Sequence, residues 1–218
     1  MRQYSTVQSS LTCRYTLGNI LPSLPGPGTP AFTRLTKELK RFGATAEKIT
    51  LETPTTRLSD VRLTILLLQD TVTIRLQYQG FEIFVPSLMQ GNGDVLLEIA
   101  KVLVSALQSM DEDAGKGQLT LHSLAHLRLE SGDPEEFLGE HLTRRDVPYR
   151  ADAFAYYIPS RQGDSRIVVA RSALFEGSLF VDYIGEYPEP RFTPEMIHQA
   201  QADYADRLSA LGLSEARL

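Results

Sequence analysis

Leu119–Glu130 reads LTLHSLAHLRLE. Leu119, Leu121, Ala125, Leu127 and Leu129 share one parity, while Thr120, His122, His126, Arg128 and Glu130 share the other, with Leu124 among them. Period-two alternation sustained this long is the mark of a β-strand with one face in the core. An earlier stretch, Val7–Leu17 (VQSSLTCRYTL), keeps the same rhythm: Leu11, Cys13, Tyr15 and Leu17 against Thr12, Arg14 and Thr16.

The segments that follow these two strands also correspond. After the first comes Leu21–Pro30, too rich in proline and glycine for regular structure and read as an exposed connection. Thr29-Pro30 then has the form of an N-cap with proline in the first helical position. Phe32, Leu35, Leu39 and Phe42 make one apolar stripe, and Gly43 is placed to end the helix. A strand is expected within Ala46–Thr53, then three alternating runs: Val61, Leu63, Ile65, Leu67; Val72, Ile74, Leu76, Tyr78; and Phe81, Ile83, Val85. Gln69-Asp70 and Gln79-Gly80 supply the turns. The helix after Asp94 is apolar around much of its girth, so it must lie on the sheet or in a subunit interface.

After the second strand, Asp133-Pro134 repeats the cap-and-proline start, with Phe137, Leu138 and Leu142 on the helix. Runs at Phe154–Ile158, Ile167–Arg171 and Leu179–Tyr183 follow, with turns at Gly163-Asp164 and Glu176-Gly177. Thr193-Pro194 opens a last helix, with Phe192 stapled against Ile197 and a stripe of Ile197, Ala200, Tyr204, Leu208 and Leu211. The fold class is therefore α+β, with helices on one face of an antiparallel sheet, in two halves spanning 1–112 and 113–218. Asp111–Gly117 forms the joint. Strand, helix, strands, helix, given twice, resembles the layout of TATA-binding-protein-like folds, in which two such halves share one curved sheet. The resemblance is topological and matches no residue motif of those DNA binders, so it implies the fold and not DNA binding.

Composition narrows the function classes. With 22 Lys and Arg against 27 Asp and Glu, the net charge is −5, which disfavours nucleic acid and anionic membrane as partners. No run approaches the roughly 20 apolar residues of a membrane span. No secretory signal is visible at the N-terminus, and a cytoplasmic location is the default. Cys13 is the only cysteine, expected as a small, half-buried strand residue, so neither an internal disulfide nor a cysteine zinc cage is available. No nucleophile elbow or phosphate loop is present, and neither cofactor nor metal is expected.

The polar parity of the opening stretch carries the candidate chemistry. Residues four apart on a strand lie about 13 Å from each other, so His122 and His126 cannot share a metal whose ligand nitrogens sit about 2 Å away. His126 and Arg128 are neighbours on that face and could hold an anion between them, with Arg171 as a further cation. Arg144, Arg145 and Tyr149 form a basic-aromatic cluster suited to contacting a partner. His141 and His198, on helices without ligand-spaced partners, are expected in solvent. Leu66, Leu68, Phe84, Leu124 and Phe180 sit on the parity opposite to the buried series and would form an apolar patch if they meet on one exposed face. The leading expectation is a non-enzymatic binding protein that engages a protein partner, or another copy of itself, through a sheet face or edge. The alternative is an enzyme or binder for an anionic or phosphorylated substrate using the His122/His126/Arg128 strand. A small apolar ligand is a further candidate occupant.

Overall fold

A computed structural model describes residues 1–53, 60–87, 93–110, 117–141, 152–159, 163–189, 193 and 195–216. In chain order its elements are β1 (Arg2–Leu17), α1 (Pro30–Leu39), β2 (Ile49–Glu52), β3 (Arg62–Leu67), β4 (Val72–Gln77), β5 (Gly80–Val85) and α2 (Gly93–Gln108). Then come β6 (Gly117–Leu129), α3 (Pro134–Glu140), β7 (Ala153–Ile158), β8 (Asp164–Arg171), β9 (Ser178–Glu189), α4 (Glu195–Ala210) and β10 (Leu213–Glu215). The protein is α+β. Its sheet runs β2-β3-β4-β5-β1-β6-β9-β8-β7 with every neighbour along that order antiparallel, β10 adding a parallel pairing to β1, and it is not closed. The two long alternating strands, β1 and β6, lie side by side at its centre, with Cys13 opposite Leu121 and Tyr15 opposite Leu119.

The alternation seen in the sequence decides which face is buried. Leu63, Ile65, Leu67, Ile74, Leu76, Ile83, Leu119, Leu121, Leu127, Val169 and Val181 all point to one side and are nearly inaccessible. Each such side chain contributes about 1.5–3 kcal/mol when removed from water. The four helices cover that side. Leu35 and Leu39 of α1, Leu96, Ile99 and Leu103 of α2, Phe137 and Leu138 of α3, and Ile197 and Leu208 of α4 join the same core. The wide apolar girth of α2 is met by the sheet together with α1 and α4, which flank it.

The caps form as their residues dictate. Thr29 Oγ1 accepts the Phe32 amide ahead of Pro30, and Gly43 closes the short 3-10 turn after α1 at φ 86°. Asp133 accepts the Glu135 amide at 2.8 Å ahead of Pro134. At α4 the Thr193 carbonyl accepts the Met196 amide; Phe192 and Pro194 lie outside the described residues, as do Leu142 and most of the 111–117 joint.

Several expectations are corrected. The Leu21–Pro30 connection is not wholly exposed, because Leu21 and Leu24 are buried and the Leu21 amide bonds to the Tyr78 carbonyl. Cys13 is fully rather than half buried, and burial pushes its thiol up to about 12. Leu68 turns toward the core and not onto the exposed face. β1 begins five residues earlier than its alternation suggested. Its register with β6 shifts between Thr6 and Gln8, leaving Val7 as the extra residue of a bulge. That extra residue inverts parity, so Tyr4 faces the core although the rest of the inward series is odd-numbered. The strand β10 after α4 has no sequence forecast. Gly212, at φ 80°, lets the chain leave α4, and β10 pairs parallel to Arg2–Tyr4 with Leu213 buried.

Two turn positions set opposite demands on side-chain size. At Gly80, φ is 138° and a Cβ would fall 1.9 Å from the Tyr15 carbonyl oxygen. At the β3–β4 turn, Leu68, Gln69 and Asp70 adopt φ of 50°, 58° and 69°, a left-handed run without glycine. Such a conformation costs about 1–2 kcal/mol for each L-residue that holds it. Gly80→Ala is therefore expected to lose about 3 kcal/mol or more, and Gln69→Gly to gain about 0.5–1 kcal/mol. Urea unfolding midpoints at unchanged slope measure both; a neutral Gly80→Ala would refute the close approach.

Candidate functional site

The sheet face turned away from the helices carries no element over it among the described residues. Register places its side chains in rows. Across the first-half strands and β1, Arg75 stands opposite Glu82 and Glu82 opposite Arg14. Arg14 Nη2 reaches Glu82 Oε2 at 2.6 Å and Arg75 Nη1 reaches Oε1 at 2.7 Å, so one carboxylate serves two guanidinium groups. Burial raises the Glu82 pKa, but the hydrogen bonds from Arg14 and Arg75 outweigh it and hold the carboxyl below its ordinary value. Arg62 is likewise paired, to Glu52 at 2.7 Å. These arginines are answered by carboxylates and do not make a basic tract.

The next row along is apolar. Leu66 sits opposite Thr73, Thr73 opposite Phe84, and Phe84 opposite Thr12. Thr12 in turn faces His122, and His122 faces Ile184. One step further, Leu124 lies between Ser10 and Asp182, and Phe180 lies opposite His126. Leu66, Phe84, Leu124, Phe180 and Ile184 are all half-buried on this face. Four of the five residues proposed for an apolar patch thus meet on one open face.

His122 and His126 belong to that face and have separate partners. His122 Nε2 lies 2.9 Å from Asp182 Oδ1, and Arg166 approaches the other oxygen of Asp182 at 3.6 Å. His126 is enclosed by Phe175 and Phe180, with ring centroids 4.9 and 5.2 Å away. Its Nδ1 is 2.9 Å from Ser172 Oγ, while that oxygen already accepts the amides of Leu174 and Phe175. The hydroxyl proton is therefore left to donate to Nδ1, and the neutral ring carries its proton on Nε2. Ser172 is thereby a turn-capping group as well as the orienting partner of His126. Burial lowers the His126 pKa below 6.5, in keeping with a neutral ring.

Of the remaining candidates, Arg128 alone among the described residues shares the face of His122 and His126. Arg128 is exposed at the end of β6, beyond His126. Arg171 has the inward parity and binds Glu135 of α3 at 2.6 Å, on the helix-covered side, so it cannot help His126 hold an anion. Arg144, Arg145 and Tyr149 lie outside the described residues. His141, expected in solvent, instead stacks on Phe154 at 4.8 Å and contacts Phe137 at 4.5 Å, with Nδ1 donating to the Phe137 carbonyl. His198 is exposed, 3.9 Å from Asp94.

Other chemistry-bearing groups are structural. Tyr183 and Tyr187 join their hydroxyls at 3.0 Å beneath α4, across Gly185, whose missing side chain leaves the room. Burial raises the pKa of both phenols, which stay protonated. Two surface hollows, of about 660 and 470 Å³, lie around α1 and contain none of the histidines. No described group of three His, Cys, Asp or Glu side chains could hold a metal ion, and no described helix is long and apolar enough to cross a membrane. The sequence could not supply Asp182, Ser172 and Phe175 as partners of the histidines, because they arrive through strand register and a hairpin turn. Compared with protein-family models and with curated proteins, the chain matches none.

The His126 environment has a consequence for acid stability. Because its folded-state pKa is lowered, the unfolded chain takes up the proton more readily. Its contribution is full above the ordinary histidine value and is lost as pH falls through the lowered one. Between about pH 7 and about pH 5, wild type should lose more unfolding free energy than His126→Asn. Equal acid sensitivity of the two proteins in urea titrations would show that His126 is not desolvated.

Proposed function

We propose that this protein is a non-enzymatic binding module that takes a protein partner on the open face of its sheet. The observation that supports this is the apolar row Leu66–Phe84 and the Leu124–Phe180–Ile184 cluster beside it, bordered by charges that already neutralise one another. Apart from the exposed Arg128 at its end, this surface offers little to a free anion, since Arg14, Arg62, Arg75, Arg166 and His122 each have a carboxylate within reach. It does offer apolar area and a rim of polar groups, which is the composition of protein–protein contacts.

A duplicated layout belongs to the same reading. In support, β5-β1 in the first half and β9-β6 in the second occupy matching places on either side of the centre, and β4-β3 match β8-β7. Among the described residues the second half has no counterpart of β2, and α3 is shorter than α1. Duplication of a strand–helix–strands–helix unit would explain why a single face can grow wide without an element returning to cover it. A cytoplasmic setting is part of the proposal, supported by a sole cysteine that is free and buried.

A photo-crosslinking residue placed at Leu124 should yield a discrete protein adduct in the native cell, and the same residue at Lys37 on α1 should not. Phe84→Asp in the Leu124 probe protein should lower the adduct about tenfold or more, the loss of a modest hot spot. Identical labelling from both positions, or none from Leu124, would defeat the reading.

A further inference from the structure

The sheet has two ends, and they differ in how they treat a strand edge. β2 is four residues long, carries Glu52 in an ion pair with Arg62, and follows Lys48, itself paired with Asp70. Shortness and charge are the usual protections of an exposed edge. β7, at the other end, reads AFAYYI and has neither charge nor proline. Tyr156 is 39% and Tyr157 66% exposed. Among the described residues nothing pairs with its outer edge. We infer that β7 is the seam of a symmetric homodimer, in which two copies of the chain pair this strand antiparallel about a two-fold axis at Ala155.

Backbone direction selects that register. The Arg171 amide donates to the Asp152 carbonyl at 3.1 Å, so residue 152 directs its backbone groups toward β8. Alternate residues of a strand point oppositely within the sheet plane. Phe154, Tyr156 and Ile158 therefore bond inward to β8, and Ala153, Ala155 and Tyr157 present their N–H and C=O groups outward. Pro159 would be the next outward residue but has no N–H to give, which ends the row.

An axis at Ala155 places each outward residue opposite an outward residue of the second copy. Ala155 meets Ala155, and Ala153 meets Tyr157, each pair exchanging both of its backbone hydrogen bonds. An axis at Tyr156 would set Ala153 against Pro159 and forfeit a donor. Side chains agree with the first choice. On the open face, the large Tyr157 stands over the small Ala153 of the second copy. On the helix side, Phe154 faces Tyr156, an aromatic cross-strand pair made twice. That pair extends an aromatic row already present in each copy, where Phe137 stands 4.5 Å from His141, His141 4.8 Å from Phe154, and Phe154 5.3 Å from Tyr156. The seam lies at the end of the sheet and leaves Leu66, Phe84 and Leu124 uncovered, so it stands or falls separately from partner binding on the face.

Sedimentation velocity and light scattering on the full chain test this. Wild type should be a dimer, while Ala155→Lys and Ala155→Glu, each placing like charges opposite themselves at the axis, should weaken it about tenfold or more. Mixing the two variants in equal amounts should restore a heterodimer, because the axis charges then attract. In wild type, the amides of Ala153, Ala155 and Tyr157 should exchange slowly at high concentration and quickly on dilution, a readout that needs no variant to fold. Four results would each overturn the inference: a monomer at about 100 µM, dimers that survive both single variants, charge variants that fail to recombine, or exchange at these amides indifferent to concentration.

Discussion

The antiparallel pairing of β1 with β6 is the constraint on which everything else rests. The two strands bind each other from Tyr4–Leu129 at one end to Leu17–Gly117 at the other. Each then recruits its own remaining strands on its free side, β5 through β2 for one and β9 through β7 for the other. The strands on either side of this pair consequently present their inward residues to the same side, and the four described helices are drawn there by one continuous core. Among the described residues no helix lies on the other face, because all four pack on the core side.

The chain's termini reinforce that seam. Arg2 donates its amide to the Gly212 carbonyl, Ala216 donates to Tyr4, and Glu130 donates to Gln3, so the start of β1 is held between β10 and the end of β6. Arg2 also reaches Glu136 at 3.2 Å and Glu140 at 2.7 Å on α3. Surface ion pairs of this kind contribute little each, and the backbone bonds and burial of Leu213 matter more. The bulge at Val7 permits the arrangement by returning Tyr4 to the core side just where β10 arrives.

On the open face, charge and apolarity are partitioned by strand register. Glu82 is only 13% exposed and neutralised from both sides, and Asp182 has His122 and Arg166 around it. A paired charge in a polar rim fixes orientation and excludes wrong partners more than it supplies affinity. Between these paired charges lies the half-buried set of Leu66, Phe84, Leu124, Phe180 and Ile184. Both histidines have fixed surroundings there, His126 between two phenylalanines and His122 against a carboxylate.

The sequence alone determined the α+β class, the extent of β6 to within two residues at either end, and the inward or outward parity of nearly every described strand residue. It also determined the starts of α1 and α3, because alternation and capping depend on neighbours within a few positions. Tertiary structure alone decided the pairing order, and with it the meeting of His122 with Asp182, of His126 with Ser172, and of Arg171 with Glu135 on the opposite side. It also decided β10, the fate of His141 among aromatic rings, and the inversion of parity at Val7. These depend on which strand lies beside which, and that is set by burial summed over residues far apart in the chain, a quantity no local pattern contains.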